Sequence, residues 1–145
     1  MYIDMMFNKY KLVGDGVELL TKGEVHATYK PHEVITYLLL PITNNKIRIF
    51  YIDDKPIGLV TWCWLSPNKA NLFLNDKYSL TEGDYQLENP GDGYQLWGIE
   101  FIAPYGDASK IMKSVRAEYK ELYGTTTKVH FRRFYNRNKL HRRTF

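Results

Sequence analysis

Two side chains of the types that acid–base catalysis uses stand out by the segments in which they lie. Glu100 is an acid in an otherwise apolar stretch that contains Trp97, Ile99 and Phe101. His26 lies shortly before a segment bounded by two prolines. These two residues are the candidates for chemistry in this chain.

On the residues alone, a structural interpretation of both candidates is favoured. In a strand, alternate side chains share one face, so Glu100 would lie beside Gly98 and Ile102 on a face that is not wholly apolar and would point to solvent. For His26, and for the neighbouring His32, an exposed or helix-capping histidine is the favoured interpretation.

Several other kinds of site lack their sequence patterns. Metal binding needs several ligands at workable spacing, whereas the four histidines are dispersed and Cys63 has no CxxC partner. No glycine-rich phosphate loop precedes a helix, and no GxSxG elbow is present. Cys63 lies in an apolar stretch, which predicts a buried structural thiol. We therefore expect no metal and no bound cofactor.

Length and composition predict one domain over residues 1–145. A chain of 145 residues with 44% hydrophobic content can bury a single core. Its apolar runs are far shorter than the roughly 18 residues of a membrane span. The first residues, Met1 to Met6, lack the form of a secretory signal. With one cysteine, a reduced, cytoplasmic location is expected.

The charge is unevenly distributed. Residues 126–145 form a basic C-terminal segment with seven Lys/Arg and no Asp or Glu, whereas the other 125 residues hold 13 basic and 16 acidic side chains. Such a segment indicates an anionic partner, which could be nucleic acid, a phosphate-bearing cofactor or an acidic protein, or is simply a solvated tail.

The elements that must position His26 and Glu100 begin with a short helix and a hairpin. Apolar residues at helical spacing predict a helix over residues 32–40, with Pro41 as its stop. Residues 46–51 and 57–64 are expected to pair as a β-hairpin around a turn at residues 53–56.

The second half predicts further helices and strands. Ser66 and Pro67 cap a helix that runs to about Asn75, residues 81–93 are expected to be a surface loop, and residues 94–103 a central strand. A helix follows Asp107 and ends before Gly124, and a last strand covers residues 125–135. This alternation predicts an α/β or α+β fold.

Several ordered blocks of the chain resemble the RTX toxin-activating lysine acyltransferases over roughly residues 24–120. The resemblance is carried by Lys55-Pro56-Ile57-Gly58, Thr61-Trp62, Leu74-Asn75-Asp76 and Ser79-Leu80, and most specifically by Ile102-Ala103-Pro104-Tyr105-Gly106-Asp107. Pro31 and Pro41 match two family prolines.

The resemblance implies a GNAT-like acyltransferase fold with a central mixed or antiparallel sheet flanked by helices. It implies transfer of a fatty acyl group from acyl carrier protein, the donor substrate, to a lysine of an acceptor protein. His26 then corresponds to the family's catalytic histidine and Glu100 to its catalytic aspartate, with His32 as a second candidate for the base. Family members can form homodimers.

Two other functions are carried as alternatives. The first is a binding module that keeps the fold, has lost its chemistry through the change to Glu100, and grips nucleic acid through Phe131, Arg132 and the rest of the basic C-terminal segment. Against this alternative, Phe131 and Phe134 are equally well explained as inward residues of a strand. The second is a protein that inhibits another protein by binding to it.

Overall fold

A five-stranded mixed sheet forms the centre of the fold. The computed structural model describes residues 2–23, 26–136 and 139–144. The strands are β1 (Ile47–Ile52), β2 (Lys55–Leu65), β3 (Gln95–Ile102), β4 (Val129–Asn136) and β5 (Lys139–Thr144), and they lie in that order across the sheet. Neighbouring strands are antiparallel except β3 and β4, which are parallel.

Helices cover both faces of the sheet. They are α1 (Tyr2–Leu20), a 3₁₀ turn (His26–Thr28), α2 (Pro31–Val34), a π-helical segment (Ile35–Leu39), α3 (Leu40–Thr43), α4 (Pro67–Leu74), α5 (Glu82–Gln86) and α6 (Ala108–Tyr123). The predicted α+β architecture, a mixed sheet flanked by helices, is confirmed. Within the described residues, none of these helices has the length and apolarity required to cross a bilayer.

Side chains of β2 alternate between the two faces. Val60 and Trp62 pack with Ile111 and Val115 of α6 on one face. On the other face, Leu59 packs with Leu19 of α1 and Leu38 of the π-helical segment, while Cys63 and Leu65 pack with α4 and α5. Glu100 and its partners lie on this second face.

The predicted hairpin, α4, central strand and α6 are present. The hairpin turns at Asp53 and Asp54, whose φ angles of 48° and 64° are left-handed, as type I′ turns require. Ser66 caps α4 by accepting a hydrogen bond from the Lys69 amide. Gly124, with φ of 108°, ends α6.

The prediction that Pro41 stops the helix was wrong, because the three helical segments from Pro31 to Thr43 follow one another without a break. The Leu40 amide donates to the Ile35 carbonyl, five residues back, which widens the turn just before the proline. The wider turn keeps the proline ring away from the carbonyl that it would meet in a regular α-helix.

Three other segments differ from the prediction. The expected loop over residues 81–93 contains α5, whose Asp84 and Tyr85 are buried. α1 was not predicted at all, and β5 follows the strand that was expected to be the last. The assignment of residues 1–145 to one domain stays a prediction.

Candidate active site

A β-bulge in β3 sets the direction of the Glu100 side chain. Phe101 pairs with Val60 and Gly98 with Trp62, so two residues of β3, Ile99 and Glu100, lie opposite the single Thr61 of β2. An extra residue of this kind breaks the alternation of side chains along a strand and is frequent beside active sites.

The structure contradicts the interpretation that Glu100 simply faces solvent. Glu100 is 6% exposed, and its backbone N–H donates to the Thr61 hydroxyl at 3.0 Å. This bond satisfies a donor in the irregular part of the ladder. The predicted face shared with Gly98 does not form, because the bulge lies between the two residues and turns Glu100 towards the helices of the second face.

The 3₁₀ turn after α1 carries His26 to Glu100. The Nε2 atom of His26 lies 2.7 Å from Oε2 of Glu100, although 74 residues separate them in the sequence. The His26 side chain is 25% exposed and the Glu100 side chain 8%. The two residues selected from the sequence thus meet in a carboxylate–imidazole pair, which we call the dyad.

Tyr29 completes the set of groups around the carboxylate and was missed by the sequence analysis. Its hydroxyl donates to Oε1 of Glu100 at 2.5 Å, so each carboxylate oxygen has a partner. The Tyr29 ring lies edge-on to the His26 ring, with centroids 5.4 Å apart. The three-residue spacing of His26 and Tyr29 in a helical turn was the available signal.

Glu100 also decides how His26 holds its proton. Burial, the strongest influence, lowers the pKa of His26, but the hydrogen bond and the negative charge of Glu100 together raise it above the ordinary 6.5. In the neutral imidazole, an Nε2–H that donates to the carboxylate leaves the lone pair on Nδ1.

The Nδ1 atom borders the backbone of Gly23. A Cβ atom added at Gly23 would lie 2.7 Å from Nδ1. No hydrogen bond to Nδ1 is present among the described residues. A side chain at position 23 would therefore crowd the Nδ1 side of the imidazole.

The remaining candidates lie apart from the dyad. His32 is exposed on α2. Cys63 is fully buried, and burial raises the pKa of its thiol well above the usual value, as expected for a structural residue. In the described part of the chain, no group of three or more potential ligands could hold a metal ion.

A pocket of about 200 Å³ beside the end of α6, lined in part by Arg116, Lys120 and residues 125–128, does not include the dyad.

Only part of the basic C-terminal segment can be placed, since most of its side chains lie outside the described residues. Arg132 donates to the Phe73 carbonyl at 2.9 Å and lies over the Phe73 ring, 3.9 Å from its centroid. Phe131 is 7% exposed and packs in the core under α6. Both side chains therefore support the fold.

A histidine–carboxylate dyad set against a mixed α+β sheet, with no hydrogen bond to the second imidazole nitrogen among the described residues, defines a site suited to general-base catalysis. The family follows from sequence comparison. The model of the RTX toxin acyltransferase family matches residues 5–142, and the chain belongs to that family.

Three relatives illustrate the range of the family. The chain is 32% identical over 115 residues to an uncharacterized protein of Synechocystis sp., in a match that covers 75% of this chain and 72% of that protein. It is 24% identical to the RTX-II toxin-activating lysine-acyltransferase ApxIIC of Actinobacillus pleuropneumoniae, over 87% of this chain and 76% of the relative. It is 28% identical to the protein-lysine myristoyltransferase HlyC of Escherichia coli, over 81% of this chain and 66% of the relative.

Proposed function

We propose that this protein transfers a fatty acyl group from acyl carrier protein to the side-chain amine of a lysine in a target protein. The observation that carries the proposal is the 2.7 Å contact between His26 and Glu100, which joins the histidine and the acid that the family resemblance implies for catalysis. Family relatives named as lysine acyltransferases and a myristoyltransferase support the acceptor and the fatty acyl group.

In the proposed reaction, Nδ1 of His26 is the base. As the neutral lysine Nζ attacks the thioester carbonyl and the C–N bond forms, Nδ1 accepts the proton that the nitrogen loses. The C–S bond then breaks, and the imidazolium returns this proton to the leaving sulfur, so that the carrier leaves as a thiol. Glu100 orients the imidazole and stabilises its positive charge.

Two features support acyl carrier protein as the donor: the lack of a glycine-rich pyrophosphate loop in the sequence and the charge of the basic C-terminal segment. A coenzyme A thioester would call for a pyrophosphate loop, and no glycine-rich loop precedes a helix in this sequence. A carrier protein presents the thioester itself, and its acidic surface suits the basic C-terminal segment. The proposal includes a cytoplasmic location, an acceptor protein as partner and no bound cofactor. The GNAT-like fold and the homodimer stay predictions.

The contact in the dyad weighs against the alternative of a fold that has lost its chemistry. That alternative assumed that the change to Glu100 removes the dyad, whereas the longer acid reaches both His26 and Tyr29. It also assigned Phe131 and Arg132 to nucleic acid, and both side chains pack within the fold.

A transfer assay tests the proposal. Acyl carrier protein loaded with an alkyne-tagged myristoyl group is mixed with the protein and a cell lysate, and tagged proteins are captured after hydroxylamine treatment, which removes thioesters but leaves amides. We expect amide-linked label on lysine. His26→Ala and Glu100→Ala should each lower its rate about 10²- to 10⁴-fold, the usual contribution of a general base.

His32→Ala is the matched control, because His32 is the second candidate base and is exposed on α2. It should label proteins at the wild-type rate. Label that persists in His26→Ala but disappears in His32→Ala would assign the base to His32. Absence of hydroxylamine-resistant label with the wild-type protein contradicts the proposed reaction.

A further inference from the structure

Both oxygens of the Glu100 carboxylate are occupied, each by a different partner. Oε2 faces Nε2 of His26 at 2.7 Å, and Oε1 accepts a hydrogen bond from the Tyr29 hydroxyl at 2.5 Å. The backbone N–H of the same residue is held by Thr61 at 3.0 Å. The carboxylate is thus fixed at its base by the bulge and at its tip by Tyr29.

The Tyr29 ring is itself held on two sides. Tyr37 lies against it with ring centroids 5.4 Å apart, and His26 contacts it edge-on at the same distance. Burial, followed by the charge of Glu100 and the hydrogen bond to it, raises the pKa of Tyr29 far above its usual value. The hydroxyl therefore keeps its proton and remains a donor throughout the neutral pH range.

We propose that Tyr29 is a positioning residue of the dyad: its hydroxyl fixes the Glu100 carboxylate so that Oε2 faces Nε2 of His26, which keeps the imidazole in the tautomer with its lone pair on Nδ1. The three-residue spacing from His26 places Tyr29 near the dyad, and the contact with Oε1 of Glu100 gives it this role. The effect of Tyr29 on catalysis rests on the proposed function. Its effect on the tautomer of His26 does not depend on the reaction.

The length of glutamate explains the need for a second anchor. Its side chain has three rotatable bonds, the last of which turns the carboxylate with a broad, shallow preference. A single bond to His26 would let the carboxylate swing, and the Nε2–H would lose its acceptor for part of the time. A donor on Oε1 removes this freedom, because both oxygens must then keep their places at once.

Nuclear magnetic resonance of ¹⁵N-histidine-labelled protein tests the hold on the tautomer. In the wild type we expect neutral His26 to carry its proton on Nε2. In Tyr29→Phe, which keeps the ring and removes only the hydroxyl, the Nδ1–H form should rise and the pKa of His26 should fall towards that of Glu100→Gln. Tyr37→Phe is the matched control, because it also removes only a hydroxyl from a ring, and that hydroxyl hydrogen-bonds with Arg132. The side-chain hydrogen bonds to the Glu100 carboxylate come from His26 and Tyr29.

Two results overturn the proposal: an Nδ1–H tautomer in the folded wild type, or a tautomer and a pKa of His26 that are the same in Tyr29→Phe as in the wild type. The wild-type spectrum decides the first of these even where Tyr29→Phe does not fold.

The transfer assay supplies the catalytic measurement. Tyr29→Phe should lower kcat on the order of tenfold with the KM for acyl carrier protein unchanged, because a misplaced base affects the transition state and not donor binding. An unchanged kcat would overturn the catalytic part of the role. If the wild-type protein transfers no acyl group, the proposed function fails, while the tautomer measurement still decides whether Tyr29 fixes the dyad.

Discussion

The charge state of His26 links the dyad to pH. Because Glu100 raises the pKa of His26 despite the opposing effect of burial, His26 is protonated up to a pH above 6.5, where it could not act as the proposed base. We predict that kcat/KM rises with pH along an acidic limb whose midpoint lies above 6.5. In Glu100→Gln the charge is lost and burial remains, so this midpoint should move to lower pH.

The same shift has a stability signature that needs no substrate. A histidine whose pKa is raised in the folded state stabilises that state fully below its unfolded pKa, and this contribution is lost as pH rises through the folded-state value. Urea unfolding at several pH values measures this contribution. The free energy of unfolding of the wild type, relative to that of Glu100→Gln, should fall as pH rises through the folded-state pKa of His26. In the profile of kcat/KM against pH, an acidic limb whose midpoint in the wild type lies at or below that of Glu100→Gln would contradict this account of the dyad.

Access to Nδ1 depends on a single glycine. Since a Cβ at position 23 would lie 2.7 Å from Nδ1, Gly23→Ala should block the atom that the lysine amine approaches in the proposed reaction, or displace the imidazole. The φ of Gly23 is not left-handed, so alanine is compatible with its backbone. We expect transfer activity to fall about 10²-fold, the order of the loss from a misplacement of about 1 Å, with little change in unfolding temperature.

Gly14→Ala provides the control for this substitution. Gly14 lies in α1, and an added Cβ there would meet nothing within 4 Å. Alanine is also the better helix former, so Gly14→Ala should be as active as the wild type and slightly more stable. Full activity of Gly23→Ala would show that the amine reaches the dyad from another direction.

At the scale of elements, the contact between β3 and β4 depends on Gly98. The Phe131 ring lies over this residue so closely that a Cβ there would be 1.9 Å from its Cε1 atom. Phe131 belongs to the core under α6, so Gly98→Ala must displace a buried ring. We predict a loss of about 1–3 kcal/mol in the free energy of unfolding, the usual cost of overpacking a core, measured by urea denaturation.

A double-mutant cycle identifies the cause of that loss. Phe131→Leu removes the part of the ring that the new methyl group meets, so the two substitutions together should cost less than the sum of their separate effects. Gly83→Ala is the control, since its nearest neighbour would lie 3.6 Å away, at ordinary contact distance. Strict additivity would show that Phe131 is not what resists the methyl group.

Elements with strong local signals could be predicted from the sequence, and elements defined by their partners could not. The hairpin, α4 and α6 each carry their own turn or cap, such as Asp53–Asp54, Ser66 and Gly124. Continuation of the helix through Pro41 depends on a π-turn, which one proline cannot reveal. α5 is the exception, because Thr81 and the buried Asp84 form a capping box, a local signal that the sequence analysis missed.

The same distinction holds for the site. His26 and Glu100 were selected from residue type, segment and family resemblance, and the structure brings them together. Their geometry was beyond the sequence, because a bulge reverses the face on which Glu100 lies and arises from its pairing with β2. A strict alternation rule therefore failed at the residue that matters most for the proposed chemistry.

At the scale of the whole molecule, the charge separation predicts how salt affects the proposed encounter with acyl carrier protein. The basic C-terminal segment carries seven Lys/Arg, whereas the other 125 residues are slightly acidic overall. An acidic carrier protein should be steered towards this segment, which raises the association rate at low salt. The Debye length is about 10 Å at 0.1 M ionic strength and about 3 Å at 1 M, so salt should remove most of the effect.

We therefore predict that Lys128→Gln combined with Lys139→Gln lowers kcat/KM for acyl carrier protein severalfold at 20 mM salt. Wild type and variant should converge at about 0.5 M, because salt then screens the attraction between opposite charges. Arg132 is left in place because it supports the fold through Phe73. The matched control, Lys77→Gln with Lys113→Gln, removes the same charge from exposed positions outside the segment. An equal loss in this control would assign the effect to net charge, since only the location of the charges differs between the two double variants.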